Sequence, residues 1–330
     1  MVLPMISYRL IIAKCFVISG ESFRGRETVC LPRSQDILND FVHKVNKINI
    51  LHWGCRRFVS PEERGMREII KNRALELGFC AVGVTSADPV EEISGLEGAI
   101  SSGRIAGMSW LARNPAMRCD PKSLLKSAKS VICLAYPYGE NGVVAADDEQ
   151  GGVPSGLRED ESGNPFQKVA RFARGVEYHA FIRKKLEEIT AEIEKRNPGA
   201  DFKICVDTSP ILEKALAARA GIGWIGKNTL LINERFGSWI LLGEIMTDIE
   251  IPTDHPVADL CGECDLCIRS CPTFALLEPR RLDARNCLSY LSIEREVRVG
   301  GWFSELLKGR YGCDLCQELC PYNSRKSTGC

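Results

Sequence analysis

From Met66 onward the chain sorts its apolar residues by period. In "MREIIKNRALELGF", Ile69, Ile70, Ala74 and Leu77 fall on one helical face, and Gly78 offers a C-cap. "FCAVGVT" then reads as a strand, "PVEEISGLEGAI" as a helix, and "SVICLAYPY" (130–138) as a buried strand. Residues 176–196 predict a strong helix, with Tyr178, Ile182, Leu186, Ile189 and Ile193 stepping by three and four toward a core. "FKICVD" follows as a strand and "PILEKALAARAG" as a helix closed by Gly221; "TLLINERFGSWILLGEIMTD" reads as a hairpin around "NERFG". Strands and helices thus mix through 66–250 in an α/β or α+β arrangement. Two stretches lack any such pattern. Residues 139–166, rich in Gly, Asp, Glu and Ser, predict a long surface loop. Residues 1–60 show no sustained period and read as an ill-ordered extension or the product of an upstream start codon.

Composition adds limits. The chain has 330 residues, 45% of them hydrophobic, with zero formal net charge, enough for one large or two medium domains. Neutrality argues against a general polyanion binder but leaves room for a local basic patch. No apolar run reaches the roughly 18 residues that span a bilayer. The opening "MVLPMISYRLIIAKCFVISGESF" makes a poor signal peptide, because Arg9 and Lys14 interrupt it and no small-residue cleavage site follows. A cytoplasmic protein, away from membranes, is the expectation. Nine of the sixteen cysteines lie after residue 260. A reducing compartment keeps such thiols free, so the crowding points to metal rather than to disulfides.

Cys261, Cys264, Cys267 and Cys271-Pro272 are spaced C-x2-C-x2-C-x3-C-P. This is the bacterial ferredoxin run, whose fourth cysteine ligates the other cluster. Two-residue gaps let three thiolates curl around one cubane while backbone N–H groups point at its sulfurs. The fourth, one helical turn on, faces a neighbour. A second run, Cys313, Cys316 and Cys320-Pro321, is one cysteine short, since Arg310 sits where the first would fall; Cys287 is the available substitute. The cross-over rule then assigns Cys261, Cys264, Cys267 and Cys320 to cluster one. Cluster two takes Cys271, Cys287, Cys313 and Cys316. Two 4Fe–4S clusters are therefore expected. A pair of zinc sites is the competing reading, but zinc needs neither the third x2 step nor the paired C-P. Roughly 200 patterned residues precede this module, more than an electron carrier needs.

Three further stretches carry polar residues. "VARFARGVEYH" (169–179) holds Arg171, Arg174, Tyr178 and His179. "VDTSPILEKALAARAGIGWIGKNTLLI" (206–232) sets Asp207 after a strand. "GMSWLARNPAMRCDP" (107–121) holds Arg113 and Arg118. Each has a plain structural explanation. Asp207 reads most simply as a cap for the helix that follows, and His179 as a packed or surface residue. "GIGWIG" follows a helix rather than a strand, which rules out a dinucleotide fingerprint.

Taken together, "RFARGVEYH", "VDTSPILEKALAARAGIGWIGKNTLLI", "GSWILLGEI", "CGECDLCIRSCPTFAL", "CLSYLSIE" and "YGCDLCQELCPYN" resemble the epoxyqueuosine reductase family, in order and over about residues 66–325. The resemblance implies a cobalamin-binding catalytic α/β (α+β) domain at 66–255 and a bacterial-ferredoxin-like two-cluster module at 256–325, flanked by an extension (1–65) and a tail (326–330). It implies two 4Fe–4S clusters and a cobalamin. The reaction would be reduction of epoxyqueuosine to queuosine at the wobble base of a tRNA anticodon stem-loop.

On the family pattern Asp207 matches the proton donor, a role a carboxyl group can fill near neutral pH when burial raises its pKa. Arg113, Lys227 and Ser289, with Asp207 itself, match polar positions near the corrinoid, and glycines 221, 223 and 226 would let backbone approach that flat ligand. The D-x-H-x-x-G motif is absent, so no histidine is expected below cobalt. Arg171 and Arg174, with Arg280, Arg281, Arg285, Arg295 and Arg298, are the candidates for tRNA phosphates. An external low-potential electron donor and a monomer are expected. Many family members continue into a helical-repeat domain, whereas this chain ends ten residues after Cys320, so a different grip on tRNA is expected. The alternatives are a reductive dehalogenase-like corrinoid enzyme and a stand-alone ferredoxin-type carrier.

Overall fold

The computed structural model describes residues 61–140, 143, 167–294 and 302–324. The opening stretch 1–60, nearly all of the predicted loop at 139–166, and Arg295, Arg298 and Cys330 lie outside the described residues. The described elements belong to one compact unit, Phe58–Cys330.

Helix α1 (Pro61–Glu76) carries the first periodic stretch, and Gly78 ends it at φ +88°. Strand β1 (Ala81–Ser86), helix α2 (Ile93–Ser101) and strand β2 (Ser130–Pro137) follow as predicted. Next come α3 (Tyr178–Glu194), β3 (Phe202–Cys205), α4 (Glu213–Arg219) and β4 (Ile240–Thr247). The four strands form one antiparallel sheet in the order β1–β2–β4–β3. The body is therefore α+β, its helices covering a sheet with no parallel pair.

Alternation along the strands divides the core in two. Ile132, Leu134 and Ile245 face α1 and α3, where Ile70, Ala74, Ile182, Leu186, Ile189 and Ile193 are buried. Val131, Cys133, Ala135, Leu242 and Met246 face α4 and its Ala215, Leu216 and Ala217. Each fully buried leucine or isoleucine of α3 contributes about 1.5–3 kcal/mol of transfer free energy. Gly243 sets the α3–sheet distance: a Cβ there would stand 2.8 Å from Leu186 Cδ1 and 3.0 Å from Ile182 Cγ2.

The predicted hairpin at 229–248 is only partly formed. Asn233 and Gly237 pair across the turn. Leu231–Ile232, however, pairs backwards with Trp224–Ile225, and β4 leaves to become a central strand between β2 and β3. All eight residues of β4 are buried, and its two neighbours take the ladder bonds a hairpin partner would have used.

The cysteine module packs directly on this body. Arg310–Tyr311 pairs in parallel with Lys168–Val169. Asp314 Oδ2 accepts from the Arg171 backbone N–H at 2.8 Å, and Tyr290 Oη from the Gly107 N–H at 2.8 Å. Short helices at Leu266–Arg269 and Leu315–Glu318 carry Cys267 and Cys316 as their second residues. No helix among the described residues is long and apolar enough to cross a membrane.

Candidate active site

The eight cysteines divide between two cavities. Cys261, Cys264, Cys267 and Cys320 line one of about 220 Å³. Cys271, Cys287, Cys313 and Cys316 line another of about 360 Å³. The partition matches the cross-over assignment read from spacing. Asn228, itself buried, lines both cavities and donates from Nδ2 to the Cys316 carbonyl at 3.3 Å.

The donor chemistry fits iron. Burial, then the crowding of Cys261, Cys264 and Cys320, pushes the Cys267 thiol up to about 11. Burial, then Cys313, Cys287, Cys267 and Cys271, raises Cys316 likewise. Four such sulfurs ionise together only around compensating positive charge. Burial also works against the Cys271 thiolate. Bonds from the Thr273 hydroxyl and from the backbone N–H groups of Thr273, Leu276 and Ala275 outweigh it and lower the thiol. Such N–H contacts to sulfur are a feature of iron–sulfur cradles. Trp224 Nε1 donates to Cys261 Sγ at 3.4 Å in the other. Among the described residues no three Cys, His, Asp or Glu side chains converge to hold a single ion.

The larger cavity exceeds the smaller by about 140 Å³. The surplus lies toward the body, whose Tyr138, Phe172, Lys214 and Ile240 form the far wall. This wall is largely apolar with few polar points. Ser289, on the short helix Leu288–Ile293, lines the same cavity.

Behind that wall lies a network of acids. Phe172 meets Tyr178 edge-on, ring centroids 6.4 Å apart, and Tyr178 stacks on His179 at 4.0 Å. His179 Nε2 lies 2.9 Å from Asp207 Oδ2, and its Nδ1 bonds Glu177, the residue that caps α3. Burial lowers the His179 pKa, but its bonds to Asp207 and Glu177 win and raise it. Burial first, then the Asp207 charge, raises the Tyr178 hydroxyl.

Asp207 does not cap a helix. Helix α4 starts six residues later, with Leu212 at its N-cap position. Asp207 instead holds φ +45°, a left-handed conformation few non-glycine residues adopt, and half of its side chain is exposed. Burial falls on two other carboxylates that the sequence reading passed over. Glu213 opens α4, and burial, against Lys214 and a bond from the Asp207 backbone N–H, raises it. Glu244 lies in the middle of β4 with no exposure, and burial raises it well above the ordinary range. Its signal was legible: a lone carboxylate inside the apolar run "ILLGEIMT".

The other predicted residues are dispersed. Lys227 lines the smaller cavity, where its Nζ donates to the Gly262 carbonyl at 2.6 Å. Arg113 is exposed and lines neither cavity. Gly223 approaches its own chain: a Cβ there would stand 2.2 Å from the Ile232 carbonyl oxygen, which the short pairing of 224–225 with 231–232 explains. Arg171 lies over the Trp239 ring at 4.2 Å, and Arg174 donates to the Val169 and Glu140 carbonyls. Arg280, Arg281 and Arg285 are paired with Asp259, Glu278 and Asp283.

An α+β body closing one cavity with a double-cubane cysteine module defines an iron–sulfur protein with a chamber beside one of its clusters. Comparison with known proteins narrows the class. The family described as "Epoxyqueuosine reductase QueG, DUF1730" matches residues 118–208, and "4Fe-4S double cluster binding domain" matches residues 260–323. The Gloeobacter violaceus epoxyqueuosine reductase is 39% identical over 260 residues, 78% of this chain and 76% of the relative. The Aliivibrio fischeri one is 38% identical over 255 residues, 77% of this chain and 66% of its own length. The chain belongs to the epoxyqueuosine reductase family. It spans about two thirds of the length of several curated relatives, 64% for that of Escherichia coli.

Solved structures agree. The Streptococcus thermophilus enzyme superposes with TM-score 0.67 at 33% identity, covering 78% of this chain and 66% of that one. An epoxyqueuosine reductase with an epoxyqueuosine-modified tRNA-Tyr stem loop gives TM-score 0.69 at 30% identity, over 80% and 67%. A Bacillus subtilis structure, TM-score 0.69 at 28% identity over 80% and 67%, has its catalytic aspartate loop swung out of the active site.

Proposed function

We propose that this chain reduces epoxyqueuosine to queuosine in tRNA, with Asp207 giving a proton to the departing oxygen. The observation that carries this reading is the shared cavity. The cysteines of cluster two form one wall and the body forms the other, with the His179–Asp207 pair close behind Phe172 and Tyr178. A stand-alone carrier has no need of such a chamber.

When bound, the clusters would carry electrons singly and cobalamin would deliver them to the epoxide carbon. The residues proposed to hold them are the two cysteine sets and, for the corrin, Ser289, which lines the larger cavity, together with Asp207, Arg113 and Lys227, which do not line it. Asp207 stands in a left-handed conformation, a kind of backbone strain that clusters at functional sites. His179 orients its carboxyl group from one side. Arg171 and Arg174 are proposed to meet tRNA phosphates, and the molecule to act as a cytoplasmic monomer fed by an external low-potential donor.

The test is anaerobic purification, iron and cobalt analysis, then an assay on an anticodon stem-loop carrying epoxyqueuosine. Conversion to queuosine by the reconstituted protein is the expected result. A cobalt-free preparation, or turnover of halogenated phenols but not of the stem-loop, would remove the reading.

A further inference from the structure

A short hairpin of the body, Trp224–Ile225 paired with Leu231–Ile232, carries its tip to the boundary between the two cysteine cradles. Thr229 holds φ +69° there, and its N–H donates to the Gly226 carbonyl at 2.9 Å. Asn228 Oδ1 accepts the Leu230 N–H at 3.2 Å, an Asx turn that orients the side chain. A Cβ on Gly226 would stand 2.8 Å from that Oδ1, so glycine leaves the carboxamide its place. The tip is also fastened from outside. Lys227 Nζ donates to the Gly262 carbonyl, within the first cysteine run, at 2.6 Å. Lys214 Nζ donates to the Thr229 carbonyl at 3.2 Å, and the Arg280 N–H to the Lys227 carbonyl at 3.0 Å.

Two donors of this hairpin serve different cradles. Trp224, 4% exposed, donates from Nε1 to Cys261 Sγ at 3.4 Å, and its ring meets Tyr322 edge-on at 4.8 Å. Cys261 belongs to cluster one. Asn228, 3% exposed, is the one residue among those described that lines both cavities. Its Nδ2 donates to the carbonyl of Cys316, a cluster-two cysteine, at 3.3 Å, which uses one of two N–H groups. Among the described residues nothing else accepts from Nδ2, and a buried donor needs an acceptor. The larger cavity offers the sulfurs of Cys271, Cys287, Cys313 and Cys316.

Reduction adds one negative charge to a cluster, and an N–H aimed at its sulfurs favours that charge and raises the potential. One electron, supplied by the external low-potential donor, leaves cluster one as it enters cluster two, with no bond made or broken. The difference between the two midpoints decides how far that step runs.

We propose that this hairpin sets the relative potentials of the two clusters, Trp224 raising cluster one through Cys261 and Asn228 raising cluster two through its amide. The body thereby tunes the relay that feeds it. The inference rests on the two-cluster reading and is independent of the substrate. Trp224 and Asn228 are positioning residues, because they act through the cluster sulfurs.

A redox titration of the full chain, reconstituted anaerobically and followed by electron paramagnetic resonance, reads both midpoints without substrate. The signal that Cys271→Ser removes identifies cluster two. Trp224→Phe keeps a ring against Tyr322 and removes the donor. The electron's partition should then shift about tenfold toward cluster two, about 59 mV for a one-electron couple. Asn228→Ser keeps a hydroxyl for the Leu230 N–H and removes the amide; the partition should shift about tenfold toward cluster one. Asn228→Thr takes its place should the serine variant lose iron, and should both lose it, Trp224→Phe decides. An unmoved midpoint in an iron-loaded variant, or a shift of the same sense at both positions, overturns the proposal. Unaltered protein that binds no iron removes the two-cluster reading and the proposal with it, a result that iron analysis gives before any titration.

Discussion

His179 and Asp207 are joined Nε2 to Oδ2 at 2.9 Å, although 28 residues separate them in the chain. The contact exists because α3 starts where β3 ends, with Glu177 capping the helix and holding the other ring nitrogen. The pair can carry a proton, and its behaviour can be checked from either side.

Asp207→Asn preserves the left-handed backbone, since asparagine tolerates positive φ better than most residues. The variant should keep its full iron and corrin content while turnover falls by about 100-fold or more, the scale of a lost general acid. Stem-loop assays beside metal analysis check this.

His179 has a raised pKa in the folded protein. Its protonated ring therefore stabilises the fold fully below the ordinary histidine value of about 6.5, and that contribution is lost as pH rises through the folded value. His179→Gln should flatten the decline of Tm between about pH 6 and 8. Thermal melts across that range show it. The decline left in the variant belongs to Glu213 and Glu244, whose raised values also make stability fall with rising pH.

Cys320 belongs with Cys261, Cys264 and Cys267, and Cys271 with the other set. Cys320→Ser should therefore damage cluster one, and Cys271→Ser cluster two, each lowering iron by up to about half. The two variants should leave different electron paramagnetic resonance signals.

Gly243→Ala places a methyl group 2.8 Å from Leu186. Overpacking at this helix–sheet contact should cost about 1–3 kcal/mol in chemical denaturation. The cysteine cradles, on the far side of the body's core, should still load iron.

Arg171 and Arg174 serve as a paired test of tRNA binding. If each meets one phosphate, replacing it with alanine should reduce the slope of log affinity against log salt by about one. Loss of stability without a change of slope would assign these arginines to their contacts with Trp239 and the Val169 and Glu140 carbonyls.

Local pattern made much of this molecule legible. Helix α3 was readable because its buried positions repeat at helical spacing, and the grouping of the cysteines around two cavities because they stand at short fixed steps. Both are constraints that neighbours in sequence impose on one another. The hairpin at 229–248 misled because a turn specifies where a chain reverses, not which strand it then joins.

What the sequence by itself determined was the long helices, the strand of 130–137 and which cysteines line each of the two cavities. Tertiary structure decided the antiparallel order of the sheet, the meeting of His179 with Asp207, the full burial of Glu244 and the partial burial of Glu213. The physical reason is distance along the chain. Periodicity and ligand spacing act over a few residues, whereas the energy of a carboxyl group depends on water and charges brought to it by strands and helices far away in sequence.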